Sequence, residues 1–260
     1  MDVKSKYSGK FSAFLKSAEE SRNFHVETVV LILKGERSTF EDANMKKSTT
    51  ILLALVEIVL MIALIVWDVL LPSILIIAVG FCFLWIRKEK TDMFAMSIWK
   101  KPVRLIQITA GLGVALSVFD FCLVIPIVNH LTNSTQDMST YATIKGNTGL
   151  MLLLLAYSWA IAALCEEFAY RGFFQNRIIS LFPNQTAGIV TAVAVTPLLF
   201  GFMHSEQGIA GMITTALDAI FFSVIRYRFK NVWAAVLVHG FSNMIGIVTF
   251  YFTGPLTGLW

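Results

Sequence analysis

Seven runs of mostly apolar residues place the strongest constraint on how this chain can fold. Each has the length, about 18 residues or more, that a helix needs to cross a hydrocarbon layer about 30 Å thick. Hydrophobic residues make up 56% of the 260 and charged residues only 15%, which exceeds what a soluble core requires. The expected fold is an all-α, polytopic transmembrane helical bundle of seven to eight spans. The runs cover residues 49–67, 69–86, 103–130, 149–175, 186–203, 208–226 and 232–253.

Lysine and arginine concentrate in loops that would all lie on one side of a seven-span bundle. Residues 1–48 hold nine and residues 87–104 hold six. Because cytoplasmic loops carry this excess, the N-terminus is predicted to be cytoplasmic. Attraction of these loops to anionic membrane lipid accounts for the net charge of +4, so nucleic acid is not an expected partner.

The start of the chain has no short apolar segment typical of a cleaved secretory signal, so the first span is expected to direct the chain to the membrane. The compact chain, which also lacks an organelle signal, favours an integral protein of a bacterial plasma membrane. The three cysteines, Cys82, Cys122 and Cys165, all fall inside spans. They are expected to be packing residues rather than a disulfide or metal site.

The fourth run contains the first polar motif, Glu166-Glu167-x-x-x-Arg171. Glu167 and Arg171 are four residues apart, the spacing at which side chains meet on one helix face, so the pair is expected to neutralise itself. Glu166 points about 100° away and keeps no local counter-charge. Ionisable groups at membrane depth are costly and usually functional. Glu166 is therefore a candidate general acid or base, with Glu167 and Arg171 as structural support.

Two further motifs bring imidazole and carboxamide groups into the last spans. His204 follows Phe200 by four residues, and Asn243 follows His239 by the same spacing. His239 and Asn243 therefore project from one helix face and offer two hydrogen-bond donors, which is what an oxyanion site requires.

Two chemistries fit these four groups. In one, Glu166 and His204 activate a water that attacks a peptide bond, while His239 and Asn243 stabilise the oxyanion. In the other, Glu166, His204 and His239 bind Zn²⁺, whose bound water is the nucleophile. The sequence has no HExxH helix, which weakens the zinc alternative, and the first version needs no cofactor.

The three motifs, in this order and at these spacings, resemble those of the CPBP family. This family joins type II CAAX prenyl proteases to bacteriocin-processing and self-immunity proteins. The resemblance covers roughly residues 150–250 and implies a glutamate-dependent intramembrane endopeptidase. It would act on a membrane-associated or lipidated peptide, with the same residue roles. The residue pattern predicts a partly amphipathic cytoplasmic arm (1–48) and N-terminal spans (49–130), and the resemblance implies a catalytic CPBP-like core (147–253).

Two other functions fit parts of the sequence. Glu57, Asp120 and Asp218 lie inside spans and are also typical of a proton or ion path in a small transporter. A non-catalytic bacteriocin-immunity or scaffold protein would bind a peptide in the same cavity without cleaving it.

Simple alternation of spans raises one conflict, because it places His204 near the outer end of the fifth span and Glu166 in the cytoplasmic half of the fourth. A catalytic pair must be in contact. Either the fifth helix bends, with Pro197 as the candidate site, or the predicted boundaries between residues 172 and 190 are wrong.

Overall fold

The computed structural model describes residues 48–67, 71–89 and 102–259. Apart from residues 48–52, the described residues belong to one compact unit, Leu53–Trp260, which contains the candidate site. Except for Ser48, the predicted N-terminal arm lies outside the described residues.

The described residues form helices and contain no strand, which confirms the all-α fold. Six helical segments are long and apolar enough to cross a membrane, and the seventh, α2, is apolar but shorter. Two short 3₁₀ turns, Ser139–Ile144 and Ser205–Gln207, precede α4 and α6. The helices are α1 (Ser48–Val66), α2 (Pro72–Arg87), α3 (Pro102–Thr132), α4 (Thr148–Ser180), α5 (Gln185–Phe202), α6 (Gly208–Phe229) and α7 (Val232–Thr253).

Local sequence signals explain where several of these helices begin. Pro72 occupies the first turn of α2, where its missing N–H costs nothing. Asn147, Asn184 and Asn231 precede α4, α5 and α7, and each side-chain oxygen accepts a hydrogen bond from a backbone N–H of the first turn. These caps satisfy donors that a helix start leaves unpaired.

Large apolar side chains remain exposed along the outer faces of the helices. On α5, for example, Val190 is 63% exposed and Leu198 is 69% exposed. An apolar surface of this extent would be unfavourable in water but is what contact with lipid requires. The exposed surface therefore agrees with the membrane-spanning fold.

Buried ion pairs connect α1, α2 and α4. The Glu57 carboxylate is fully buried and lies 3.0 Å from Nη2 of Arg87 and 2.6 Å from Nε of Arg177. Glu89 supplies a second negative charge for Arg177, since its Oε2 lies 2.8 Å from Nη1 of that arginine. Glu57 therefore has a structural role that ties three helices, and it does not support the transporter alternative.

A glycine permits close approach of α5 and α6. A Cβ added at Gly201 would overlap the Met212 carbonyl oxygen and lie 2.9 Å from Cβ of Ala216. Because a backbone carbonyl cannot move away as a flexible side chain can, we expect Gly201→Ala to lower the free energy of unfolding. The usual cost of such overpacking is about 1–3 kcal/mol.

Gly111→Ala in α3 is the matched control, since a Cβ there would meet nothing within 4 Å. It should leave the melting temperature of the purified protein unchanged or slightly raised, because alanine favours a helix over glycine. Equal melting temperatures for the two variants would show that the α5–α6 contact tolerates a methyl group.

Candidate active site

The four residues predicted to be catalytic line one cavity of about 680 Å³. Glu166 comes from the middle of α4, His204 from the turn after α5, and His239 and Asn243 from the middle of α7. The cavity wall is otherwise a mixture of apolar and polar side chains, which is typical of a ligand site.

The length of α4 resolves the conflict over the depth of His204. The helix continues to Ser180, past the predicted end at residue 175, so Glu166 lies farther from that end than expected. After a short loop α5 runs back antiparallel to α4, and the Tyr170 and Phe200 rings pack edge to face, with centroids 5.1 Å apart. Glu166 precedes Tyr170 by four residues, about one helical turn, and His204 follows Phe200 by four. Because the two helices are antiparallel, both steps lead in the same direction from the ring contact. Their positions therefore match without a break of α5 at Pro197.

The helix around the two glutamates is wider than an ordinary α-helix. Residues Ser158–Glu166 and Phe168–Phe174 are π-helical, a local geometry that is often found at functional sites. Glu166 is partly exposed to the cavity, whereas Glu167 is fully buried behind it. The two neighbouring carboxylates are thus placed in different environments, as their helical spacing predicts.

Glu167 joins Arg171 to His239 behind the cavity wall. Nη1 of Arg171 donates to Oε1 of Glu167 at 2.9 Å, and Nη2 donates to the Ala219 carbonyl at 2.8 Å. The ion pair predicted from the spacing is therefore present. Nδ1 of His239 lies 3.0 Å from the same Oε1. The guanidinium is sandwiched between aromatic rings, with centroid distances of 4.9 Å to Phe200 and 5.5 Å to Phe222.

These contacts define which nitrogen of His239 faces a ligand. Since an ionised carboxylate only accepts hydrogen bonds, Nδ1 donates to Glu167 and Nε2 is left for the cavity. The ring is held in plane by stacking on Phe222, with centroids 4.6 Å apart and planes 12° apart. His239 is thus fixed in orientation by an ion pair on one side and an aromatic ring on the other.

His204 is oriented by the backbone of its own motif. Its Nδ1 lies 2.9 Å from the Phe200 carbonyl oxygen, and a carbonyl only accepts, so Nδ1 donates and Nε2 remains free to act on a ligand. Burial lowers the pKa of His204 below its ordinary value, which favours a neutral ring at pH 7. A neutral imidazole with an available Nε2 lone pair is suited to accept a proton from water.

The sequence did not point to two aromatic residues of the site. Phe222 stacks on His239, but in α6 it is one apolar residue among many and carries no local signal. Tyr170 lines the cavity, and its spacing of four residues from Glu166 was a signal available in the sequence. Asp120 and Asp218, predicted only as embedded acids, also line this cavity.

The zinc alternative needs three ligands that converge. Within residues 48–67, 71–89 and 102–259, no group of three or more His, Cys, Asp or Glu side chains is arranged to hold a metal ion. Glu166, His204 and His239 share the cavity but do not form such a group. The zinc alternative therefore stays a prediction.

No curated protein and no solved structure matches the chain. Residues 148–245 match the family described as type II CAAX prenyl endopeptidase Rce1-like. The match begins with α4 and ends within α7, so it contains all six predicted site residues, and it supports a CAAX-type intramembrane protease. Residues 148–245 are therefore similar to the type II CAAX prenyl endopeptidase Rce1-like family, which agrees with the resemblance to the CPBP family.

Proposed function

We propose that the protein is an intramembrane endopeptidase that hydrolyses a peptide bond in a membrane-associated or lipidated peptide. The observation that carries the proposal is the shared cavity, which gathers a glutamate, two histidines and an asparagine from three separate segments. A carboxylate, a neutral imidazole and two hydrogen-bond donors around one cavity are what acyl-group hydrolysis by water requires.

In the proposed reaction, Glu166 and His204 hold a water molecule. The water oxygen attacks the carbonyl carbon while its proton passes to Glu166, and the electron pair of the C=O double bond moves to the carbonyl oxygen. His239 and Asn243 stabilise that oxyanion. When the tetrahedral intermediate collapses, the C–N bond breaks and the proton held by Glu166 passes to the leaving amine.

The contact between His239 and Glu167 specifies how His239 would act. Because Nδ1 is engaged with Glu167, an oxyanion must be bound through Nε2, and Nε2 donates only when the ring carries both protons. The buried carboxylate of Glu167 stabilises such an imidazolium. Asn243 supplies a neutral donor through its side-chain amide. Glu167 would thus support the oxyanion site through His239.

The substrate class follows from the position of the site. The cavity lies among membrane-spanning helices, so its substrate must reach membrane depth. A lipidated tail or an amphipathic peptide satisfies this requirement, and the family match points to peptides of the prenylated type. Purified protein in detergent or lipid nanodiscs should cleave such peptides at one internal bond, identified by mass spectrometry. Tight binding without products would favour the immunity or scaffold role instead.

Metal chelation tests the choice between the two chemistries. Because no step of the proposed reaction passes through a metal ion, we expect cleavage to persist at an unchanged rate after dialysis against 1,10-phenanthroline. The measurement is the initial rate of the dialysed protein, with a known zinc protease treated in parallel as the control. Loss of the rate with recovery on adding Zn²⁺ would contradict the glutamate-dependent mechanism.

A further inference from the structure

Tyr170 has a buried polar group that the proposed reaction does not yet use. The residue is 1% exposed and lines the cavity, and its hydroxyl has no hydrogen-bond partner among the residues that the structure describes. A buried hydroxyl without a partner is destabilising, and nearly all such groups in folded proteins are satisfied. The hydroxyl oxygen itself is buried, but because the residue lines the cavity, a small rotation of the side chain would bring it to a bound ligand, which is the partner that we infer.

The position of Tyr170 relates this hydroxyl to the reacting groups. Tyr170 follows Glu166 by one helical turn, and both residues line the same cavity. Its ring packs on Phe200, whose carbonyl oxygen holds Nδ1 of His204. Tyr170 is therefore close to both groups that would activate water. It lies one helical turn from Glu166, and its ring contacts the residue whose carbonyl orients His204.

We propose that Tyr170 is a further catalytic residue, whose hydroxyl donates a hydrogen bond to the substrate carbonyl oxygen as it becomes the oxyanion. This inference rests on the proposed function. The tyrosine keeps its proton throughout: the attacking water gives its proton to Glu166, and the Tyr170 O–H only stabilises the negative charge that develops on the carbonyl oxygen. A donor that strengthens its bond in the transition state lowers the barrier without tightening substrate binding.

The test is Tyr170→Phe, which removes only the oxygen. We expect kcat to fall by about 100- to 1,000-fold, as when an oxyanion donor is removed, while KM stays close to the wild-type value. The melting temperature should be unchanged or higher, because the variant no longer buries an unpaired hydroxyl. Loss of activity with retained or increased stability is a combination that a merely structural role would not produce.

Tyr227→Phe makes the same chemical change away from the cavity. The Tyr227 hydroxyl donates to Oε1 of Gln175 at 3.1 Å, so this variant should lose some stability and keep its kcat. An unchanged kcat in Tyr170→Phe, or a fall in stability that accounts for the lost rate, would overturn the inference. If the wild-type protein cleaves no peptide, the proposed function itself fails, and this outcome is distinct from active wild type with an equally active Tyr170→Phe.

Discussion

Glu166→Gln is expected to lower kcat/KM by about 1,000-fold or more while the protein remains folded. Glutamine keeps the size of the side chain and can still form hydrogen bonds, but it cannot accept the proton of the attacking water. Removal of the base from a group of residues that act together commonly eliminates most of the catalytic effect. The measurement is the cleavage rate of the purified variant against wild type at equal concentration.

Binding and a neighbouring variant provide the controls for Glu166→Gln. The variant should still bind the substrate peptide with a Kd close to that of wild type, because the cavity keeps its shape. Cys165→Ser, one residue away, should retain the wild-type rate, because the Cys165 thiol donates to the Ala160 carbonyl and has no part in the reaction. Full activity of Glu166→Gln would show that Glu166 is not the base, and loss of activity in Cys165→Ser would indicate that the thiol takes part in the reaction.

The largest loss of stability is expected for Arg171→Met. The guanidinium is fully buried, pairs with the fully buried Glu167 and donates to the Ala219 carbonyl. Methionine fills similar space but leaves the carboxylate without its counter-charge. Removing one partner of a buried ion pair typically costs about 3–5 kcal/mol. The variant should therefore unfold at a much lower denaturant concentration, or fail to accumulate in the membrane.

A second substitution separates the charge effect from the packing effect. In the double variant Arg171→Met with Glu167→Leu, no unpaired charge remains, and replacing a buried ion pair by apolar side chains is often close to neutral. Most of the lost stability should therefore return. Activity should not return, because His239 would lack the carboxylate that orients it. A double variant as unstable as Arg171→Met would show that packing on Phe200 and Phe222, and not the charge, is what Arg171 contributes.

Much of the fold could be predicted because its signals are local. The apolar runs placed all seven helices that the structure describes to within about five residues. The largest boundary error is at the end of α4, where the polar residues Gln175 and Arg177 end the apolar run but the helix continues to Ser180. In the structure these polar side chains are buried, Gln175 against Ser223 and Arg177 against Glu57. Such partners lie on other helices and leave no trace in the local sequence.

In the candidate site, too, contacts within one helix could be predicted and contacts between helices could not. Spacing within one helix correctly paired Glu167 with Arg171, and it identified the residues that now line the cavity. It gave no indication that Glu167 also contacts His239, seventy-two positions along the chain, or that Phe222 stacks on that ring. Interactions between helices depend on the packing of α4 against α6 and α7, which apolar periodicity alone does not specify. The catalytic roles of these residues stay a proposal.

The most direct test of the central claim is a structure with a bound transition-state mimic. A phosphinate group would replace the scissile peptide bond in a peptide whose cleavage site has been mapped by mass spectrometry. The account predicts one phosphinate oxygen within hydrogen-bond distance of Nε2 of His239 and the Asn243 amide, and the other beside Glu166 and His204. A peptide bound outside the cavity, or a metal ion between the phosphinate and these side chains, would contradict it.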